Sequence, residues 1–316
     1  MAVNNSLANK SQRLGLTAYL TQDAVKQQIN NVIGGKDGQR FISAIISAVN
    51  TNPALQECTN PSILSGALLG ESLKLSPSPQ LGHYYLVPFK DNKRDIKVAQ
   101  FQLGYKGYIQ LAIRSGQYKK INVLAIKEGE LEYFDPLNED IKVSLMVDKW
   151  DEREAAPTIG YYAMFELTNG FRKAIYWSKA QMLAHADKYS AAFSKDAKTM
   201  KDGTKKVSFA DFEAGKYPQK DAWMYSSFWY KDFDGMAYKT MLRQLISKWG
   251  IMSIEMQNAF DNDMAVIHED GTKDYVDTED CVVEVEEPQT KEQATEQPKE
   301  PQQDVQAIDA AAALFS

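Results

Sequence analysis

Apolar residues in the first quarter of the chain recur every three or four positions, as they do in a helix with one buried face. One such face contains Phe41, Ile45, Ala48 and Val49. Further helical patterns of the same kind precede and follow it. Together they predict a small helical lobe over about residues 21–78, in which the helices bury these faces against one another.

The ends of these helices are marked by residues that favour caps and turns. Thr21 is a candidate N-cap and Gly34 a candidate stop for the first predicted helix. A later helix has Asn60 as a candidate cap and Pro61 in its first turn. Because the helical pattern begins at Thr21, residues 1–20 are predicted to be a flexible N-terminus.

Alternation of apolar and polar residues replaces the helical pattern after His83. A β-hairpin is predicted there, with strands in HYYLVPFK and IKVAQFQLG joined by the turn DNKR. One or two further strands are expected in KKINVLAIKEGELEYF. The clearest hairpin is TIGYYAMFELTNGFRKAIYWSK, in which Asn169-Gly170 is typical of a two-residue turn.

Helical patterns return after Ser178. A capped helix is predicted in SKAQMLAHADKY, and a long helix, interrupted near Gly235, in AWMYSSFWYKDFDGMAYKTMLRQLISKWG. The order predicts an α+β fold, with an N-terminal helical lobe, a β-hairpin and a small, mostly antiparallel sheet with packed helices. One core domain is expected over residues 21–260, with the sheet and its helices in about residues 79–260.

Charge divides the chain after Phe260. Residues 261–316 hold 16 Asp and Glu against 3 Lys and Arg, a net charge of −13. The totals are 42 and 36, so residues 1–260 hold 26 and 33, a net charge of +7. A basic body that meets a polyanion and an acidic tail that meets a partner fit this asymmetry. A tail that only aids solubility fits it as well.

The composition of residues 261–316 predicts a disordered acidic tail, since few apolar residues there could form a core. Its end, AIDAAAALFS, is helix-competent and partly apolar. That end is predicted to be a short segment that docks on a partner.

Several classes of protein lack their signatures here. No GxxxxGK[ST] loop is present, and the nearest stretch, GALLGES from Gly66, lies in a helical pattern where small residues permit close packing. The three histidines and two cysteines show no spacing typical of metal ligands. No apolar run resembles a membrane span or a signal peptide. A cytoplasmic protein without catalytic residues is expected.

The stretch FQLGYKGYIQLAIRSGQYKK mixes cations with aromatic residues, as sites for single-stranded nucleic acid do. A helix that begins after LGYKG would point free amides toward an anion, with Lys106 beside them. Gln110 and Arg114 would share one face of that helix. A buried strand-to-helix turn with solvated lysines fits the same residues, since a GxxG pattern alone is weak.

Two later segments add cations. The loop KDAKTMKDGTKKVS fits either a flap over a nucleic-acid backbone or an ordinary solvated loop. In MAYKTMLRQLISKWG, Lys239 and Arg243 share a face beside the apolar stripe, which fits phosphate contacts or a plain exposed face. The candidate DNA-binding residues are Tyr105, Lys106, Tyr108, Arg114, Lys119, Lys120, Lys127, Lys205, Lys206, Lys239 and Arg243.

Five segments follow one another along about residues 40–255: NPALQECTNPSILSGALLGESLKLSP, GHYYLVPF, FQLGYKGYIQLAIRSGQ, GYYAMFELTNGFRKAIYWSK and DGMAYKTMLRQLISKWG. Each segment alone is a weak signal. In this order and spacing they resemble the RecT family of single-strand DNA annealing proteins found in phages and prophages.

The resemblance implies binding of single-stranded DNA and of the annealed duplex, in phage-type homologous recombination. It implies pairing of complementary strands without ATP or another required cofactor, with Mg²⁺ at most a modulator. A homo-oligomer, as a ring or a helical filament, is implied too. A phage exonuclease and the host single-strand binding protein are the implied partners, and the C-terminal tail is expected to recruit them.

Two other functions remain alternatives. A KH-like nucleic-acid-binding module would use GYKG as its clamp, but it needs that loop between two helices, whereas a strand precedes it here. A metal-dependent nuclease would use Asp95, in the sequence Asp95-Ile96-Lys97, although no acidic partner stands in an upstream strand and Asp95 also fits a hairpin turn.

Overall fold

The computed structural model describes residues 15–34, 37–91, 94–190, 192–200, 203–267 and 273–275. The helices are α1 Leu16–Leu20, α2 Asp23–Ile33, α3 Gly38–Thr51, α4 Asn60–Ser72, α5 Tyr105–Arg114, α6 Trp150–Ala155, α7 Lys179–Tyr189, α8 Phe209–Glu213, α9 Phe228–Lys231, α10 Phe233–Trp249 and α11 Ile254–Asn262. The strands are β1 Tyr84–Asp91, β2 Ile96–Leu103, β3 Tyr118–Lys127, β4 Leu131–Asp135, β5 Asp140–Val143, β6 Thr158–Leu167, β7 Arg172–Ser178, β8 Lys198–Thr199, β9 Lys205–Lys206, β10 Ala265–Ile267 and β11 Lys273–Tyr275.

An antiparallel sheet of three strands, in the order β3-β6-β7, forms the centre of the fold. Helix α10 crosses it and packs on all three strands, while α7 packs on β6 and β7. The remaining described strands pair as the hairpins β1-β2, β4-β5, β8-β9 and β10-β11. The predicted α+β class, the helical lobe and both main hairpins are therefore confirmed.

The hairpin β1-β2 is joined to the helical lobe through α4, which packs on both of its strands. Two glycines of α4 make this packing possible, because a Cβ on Gly66 would overlap Leu86 and one on Gly70 would overlap the ring of Tyr84. The stretch GALLGES is thus a packing surface inside a helix.

Three details of the sequence prediction are wrong. Residues 16–20, expected to be flexible, form α1, and its Leu20 is fully buried in the core because α2 and α3 cover it. The N-cap position of helix α2 is Gln22, one residue after Thr21, and its side chain makes no capping hydrogen bond. The turn between β6 and β7 is longer than two residues: the Leu167 N–H donates to Phe171 O, which leaves the three residues 168–170 in the turn, and Gly170 adopts a φ of 87°.

The core continues past Phe260, where the sequence prediction ended it. Helix α11 extends to Asn262, and the Met264 N–H donates to Phe101 O on β2 over 2.9 Å. Ala265 and Val266 are buried. The predicted boundary is therefore about seven residues too early, because an apolar segment follows the first acidic residues and packs on β2. The rest of the predicted tail, apart from residues 273–275, lies outside the described residues, as do residues 1–14.

Candidate nucleic-acid interface

The junction between β2 and α5 is built on two close backbone contacts. Gly104 caps α5, and its N–H donates to His83 O over 2.9 Å. A Cβ on Gly104 would overlap the carbonyl oxygen of Gly82, and a Cβ on Gly107 would overlap that of His83. Both glycines of the GYKG sequence are needed because the start of β1 passes directly over them.

Lys106 projects from the first turn of this helix and is exposed. Its ammonium lies 6.0 Å from the centre of the Tyr105 ring. Tyr105 is half-buried and packs edge-on against Tyr238, with 5.4 Å between ring centres. Burial, and then the nearby carboxylate of Asp232, raise the pKa of Tyr105. The junction thus presents a free cation beside the accessible part of an aromatic ring.

Arg114, at the last turn of α5, points to the end of α4. Its guanidinium donates to Leu73 O over 2.6 Å and to Lys74 O over 3.2 Å. Burial, and then the positive charges of Arg114 and Lys106, lower the pKa of His83. His83 is therefore close enough to both cations to respond to their charge. We call His83, Tyr105, Lys106 and Arg114 the junction cluster.

Lys119 and Lys120 stand at the start of β3, next in the chain after α5. Both are exposed, and both pair with Glu166 on β6. The hydrogen bond from Lys119 is the main reason why the pKa of Glu166 is lowered. One carboxylate faces two ammonium groups, so this site keeps a net positive charge. Lys127 lies apart from them, at the opposite end of β3, and is half-buried.

The two predicted lysines of the 195–208 loop differ in environment. Lys205 is exposed on β9, whereas Lys206 is buried. The Lys206 ammonium donates to Ala192 O over 2.7 Å and lies 4.6 Å from the centre of the Tyr230 ring. Burial, and then the charge of Lys198, lower the pKa of Lys206 to about 8. Lys206 therefore anchors the loop, and Lys205 remains available at the surface.

The third group, Tyr108, Lys239 and Arg243, lies inside the protein around Asp263. Lys239 Nζ is 2.9 Å from Asp263 Oδ1, and Arg243 is 3.2 Å from Oδ2. The Tyr108 hydroxyl donates to Oδ2 over 2.9 Å, and the Leu103 N–H donates to Oδ1 over 2.8 Å. We call these residues the Asp263 cluster.

The Asp263 carboxylate is 1% exposed. Burial acts to raise its pKa, but the charges of Lys239 and Arg243 outweigh burial and hold the pKa below its ordinary value. The expectation that Lys239 and Arg243 line an exposed helix edge is therefore wrong, because α10 turns this edge toward α5 and the chain segment after α11. Tyr108 is likewise a core residue, with no exposed ring.

Asp263 is the buried partner of Lys239 and Arg243 that the sequence reasoning missed, since it fell in the predicted tail. The apolar run at residues 264–267, directly after Asp263, could have indicated that the fold continues there, because a disordered acidic tail is not expected to contain such a run.

The alternatives find no support in the geometry. Asp95 is exposed, has a φ of 49° typical of a turn, and pairs with Lys90 at 3.0 Å. No group of three or more His, Cys, Asp and Glu in the described ranges is placed to hold a metal ion. GYKG joins a strand to a helix, not two helices. Among the described helices none has the length and apolar character of a membrane span.

The comparisons with known proteins agree with the motif order. The RecT family model matches residues 39–279, which include both clusters. The chain belongs to the RecT family. It is 36% identical over 288 residues to the uncharacterized protein YqaK of Bacillus subtilis, covering 88% of this chain and 84% of that protein. It is 31% identical over 156 residues to protein RecT of Escherichia coli, covering 48% of this chain and 56% of that protein.

Membership of the RecT family supports a role in single-strand annealing and DNA recombination. The eleven candidate DNA-binding residues lie in different environments in the structure. Tyr105, Lys106, Lys119, Lys120 and Lys205 have accessible side chains, while Tyr108, Lys206 and Lys239 are buried. Lys127 and Arg243 are half-buried, and the guanidinium groups of Arg114 and Arg243 already donate to protein oxygens.

Proposed function

We propose that this protein binds single-stranded DNA and anneals complementary strands without ATP, acting as a homo-oligomer. The RecT family match over residues 39–279 carries the proposal. The junction cluster supports it, because exposed Lys106 lies beside the accessible part of the Tyr105 ring, and exposed Arg114 adds a second positive charge on the same helix. Cations that follow phosphates and rings that contact bases are the usual means of holding a single strand.

In the proposed mechanism the strand enters along α5, with its backbone against Lys106 and its bases facing outward. Lys119 and Lys120 continue the positive surface at the start of β3. Tyr105 offers its accessible edge to a base or sugar. The charges reduce the repulsion between phosphates, and base pairing with the second strand supplies the free energy of annealing, so no nucleotide hydrolysis is needed.

The test is an annealing assay with two complementary, fluorescently labelled strands in the presence of EDTA and without nucleotide. We expect the protein to accelerate pairing many-fold over the spontaneous rate. Pairing at the spontaneous rate, or only after ATP is added, would contradict the proposal.

A cleavage assay separates the annealer from the metal-dependent nuclease. An end-labelled single strand is incubated with the protein and Mg²⁺. Under our proposal the strand stays intact and Mg²⁺ changes only the binding affinity. Shortened products would instead favour the nuclease.

The C-terminal tail is proposed to recruit an exonuclease and a host single-strand binding protein in the cytoplasm. Because β11 ends at Tyr275, a truncation should follow that residue so that the β10-β11 pairing is kept. We expect the truncated protein to anneal DNA as the full chain does and to recombine poorly in cells. Loss of annealing in vitro would place the tail in the core mechanism.

A further inference from the structure

Two exposed apolar patches lie at opposite ends of strand β3. One follows β5 and includes Val147 and Trp150, which are 66% and 63% exposed. The other includes Phe171 and Ile254, which are 45% and 82% exposed. Clustered exposure of large apolar side chains marks contact surfaces, whereas single exposed residues need no explanation.

The first patch is fixed to the C-terminal end of β3 by a buried ion pair. Arg153 Nε is 2.6 Å from Glu130 Oε1, and Arg153 also donates to Ala125 O over 2.9 Å. The Met146 N–H donates to the same Glu130 oxygen over 3.1 Å. Burial acts against the charge of Glu130, but these bonds outweigh burial and lower its pKa. The segment that carries Val147 and Trp150 is therefore held in place.

The second patch is fixed to the N-terminal end of the same strand. The Tyr118 hydroxyl donates to Ile251 O over 2.9 Å, and Phe171 lies against Phe165, with 6.1 Å between ring centres. Ile251 and Trp249 continue the patch and are about 40% exposed. Ten residues of β3 separate the two ends, which at roughly 3.3 Å per residue is about 30 Å.

The predominant charge differs between the two patches. Asp148, Asp151 and Glu154 are exposed beside Trp150, and among the described residues none of them forms an ion pair. The nearby Lys149 pairs with Glu152, and Arg153 turns inward to Glu130. We call this surface the acidic end.

Around the second patch the charges are mainly positive, although the exposed carboxylate of Glu255 lies next to Ile254. Arg172 and Lys248 are exposed, and neither forms an ion pair within the described ranges. Lys173 stacks over the Trp249 ring at 4.1 Å, but its charge is paired with Glu139. We call this surface the basic end.

We propose that the acidic end of one molecule docks on the basic end of a second copy of this chain. A patch that met itself would bring like charges together, whereas the two ends complement each other in both charge and apolar character. Such a head-to-tail contact is heterologous, so each added copy leaves one free end of each kind, and a ring or a filament results. The inference rests on the proposed oligomer and adds the surfaces that form it.

Two blocked variants test the direction of this contact. In the first, Val147→Glu and Trp150→Glu block the acidic end; in the second, Phe171→Glu and Ile254→Glu block the basic end. Sedimentation velocity without DNA should show assemblies for the wild type and monomers for each variant alone. An equimolar mixture of the two variants should give a complex of two chains and no larger, because only one intact acidic end and one intact basic end remain compatible.

Assembly of either variant as in the wild type, or a mixture that stays monomeric, would overturn the proposal. Trp223→Glu is the matched control, since Trp223 is 62% exposed and lies outside both patches; it should assemble normally. Binding of a short labelled single strand, with circular dichroism as a check of folding, is measured on every variant. Normal DNA binding by a monomeric variant would support the proposed DNA function whatever the assembly result. If the wild type itself does not bind the strand, the proposed DNA function is contradicted, and the docking proposal is judged by sedimentation alone.

Discussion

The junction cluster and the Asp263 cluster use the same kinds of residue for different purposes. Each combines a lysine, an arginine and a tyrosine near α5, and in each the basic residues occupy a helix. In the junction cluster Lys106 is exposed and forms no ion pair within the described residues. In the Asp263 cluster, Lys239 is buried against a carboxylate that is itself 1% exposed.

The difference shows that a basic helix face does not by itself identify a DNA-binding surface. Whether such a face is free to bind DNA depends on whether another segment of the chain places a carboxylate against it. For α10 that carboxylate comes from Asp263, which ties α5, α10 and β2 to the chain segment after α11. The charges of the buried cluster therefore serve the fold, and the exposed cations are left to bind a polyanion.

The largest effect that separates the clusters is expected from Asp263→Ala. It would leave Lys239 and Arg243 buried without their partner, so the free energy of unfolding should fall by about 3–5 kcal/mol. Urea denaturation measures this. The exposed Glu154→Gln is the control and should change stability by less than about 0.5 kcal/mol. A small effect of Asp263→Ala would mean that the cluster opens to solvent.

The second effect concerns Lys106→Glu, which should weaken binding of a labelled single strand about tenfold or more at low salt. The estimate corresponds to the roughly 1.5–3 kcal/mol of one hydrogen bond to a charged group. The melting temperature should not change, because Lys106 is exposed. Lys26→Glu, on the exposed side of α2, is the matched control. Equal weakening by both variants would mean that the loss of DNA binding reflects the net charge of the protein and not a specific contact at the junction.

Arg114 combines a structural contact with an exposed position in the junction cluster, and its substitution should show both roles. Because its guanidinium caps α4, Arg114→Ala should lower the free energy of unfolding by about 1–2 kcal/mol and also weaken DNA binding. Arg114→Lys, which keeps the charge, should recover binding more than stability. Recovery of both together would argue that the cap matters little.

The smallest effect is the dependence of stability on pH. The pKa of Asp263 is lowered in the folded protein, so its contribution is fully present above the unfolded value of about 4 and is lost as the pH falls through the lowered value. Between pH 7 and 5 the cluster should therefore contribute constantly, and below about pH 4 progressively less. The difference in the free energy of unfolding between the wild type and Asp263→Asn, measured by urea denaturation at each pH, isolates the contribution of the Asp263 charge. A difference that already shrinks between pH 7 and 5 would contradict the lowered pKa.

Local patterns predicted most of the fold. The alternation in β6 and β7, the capping box of Ser178 and Gln181 in α7, and the buried face of α3 depend on neighbouring residues, so the sequence shows them directly. The family was identified from five ordered motifs, which the later comparisons agree with.

Long-range contacts were not predictable in this way. Tyr108 and Asp263 are 155 positions apart, and no local pattern indicates that they share a hydrogen bond. The inward turn of Lys206 is similar, because the aromatic ring that receives it, Tyr230, lies in a later helix. Lys206 and Lys239 were both predicted to be exposed, because lysine side chains usually are. The burial of each depends on a partner that only the folded chain brings near.

The most direct test of the separation between the clusters is the salt dependence of single-strand binding by two variants, Lys106→Glu and Lys239→Met, beside the wild type. Fluorescence anisotropy gives the affinity of the folded protein at each salt concentration. We predict that Lys106→Glu reduces the log–log slope by about 0.7, the value of one phosphate contact on a single strand. Lys239→Met should keep the wild-type slope and lose stability instead. An unchanged slope for Lys106→Glu together with a reduced slope for Lys239→Met would contradict the account.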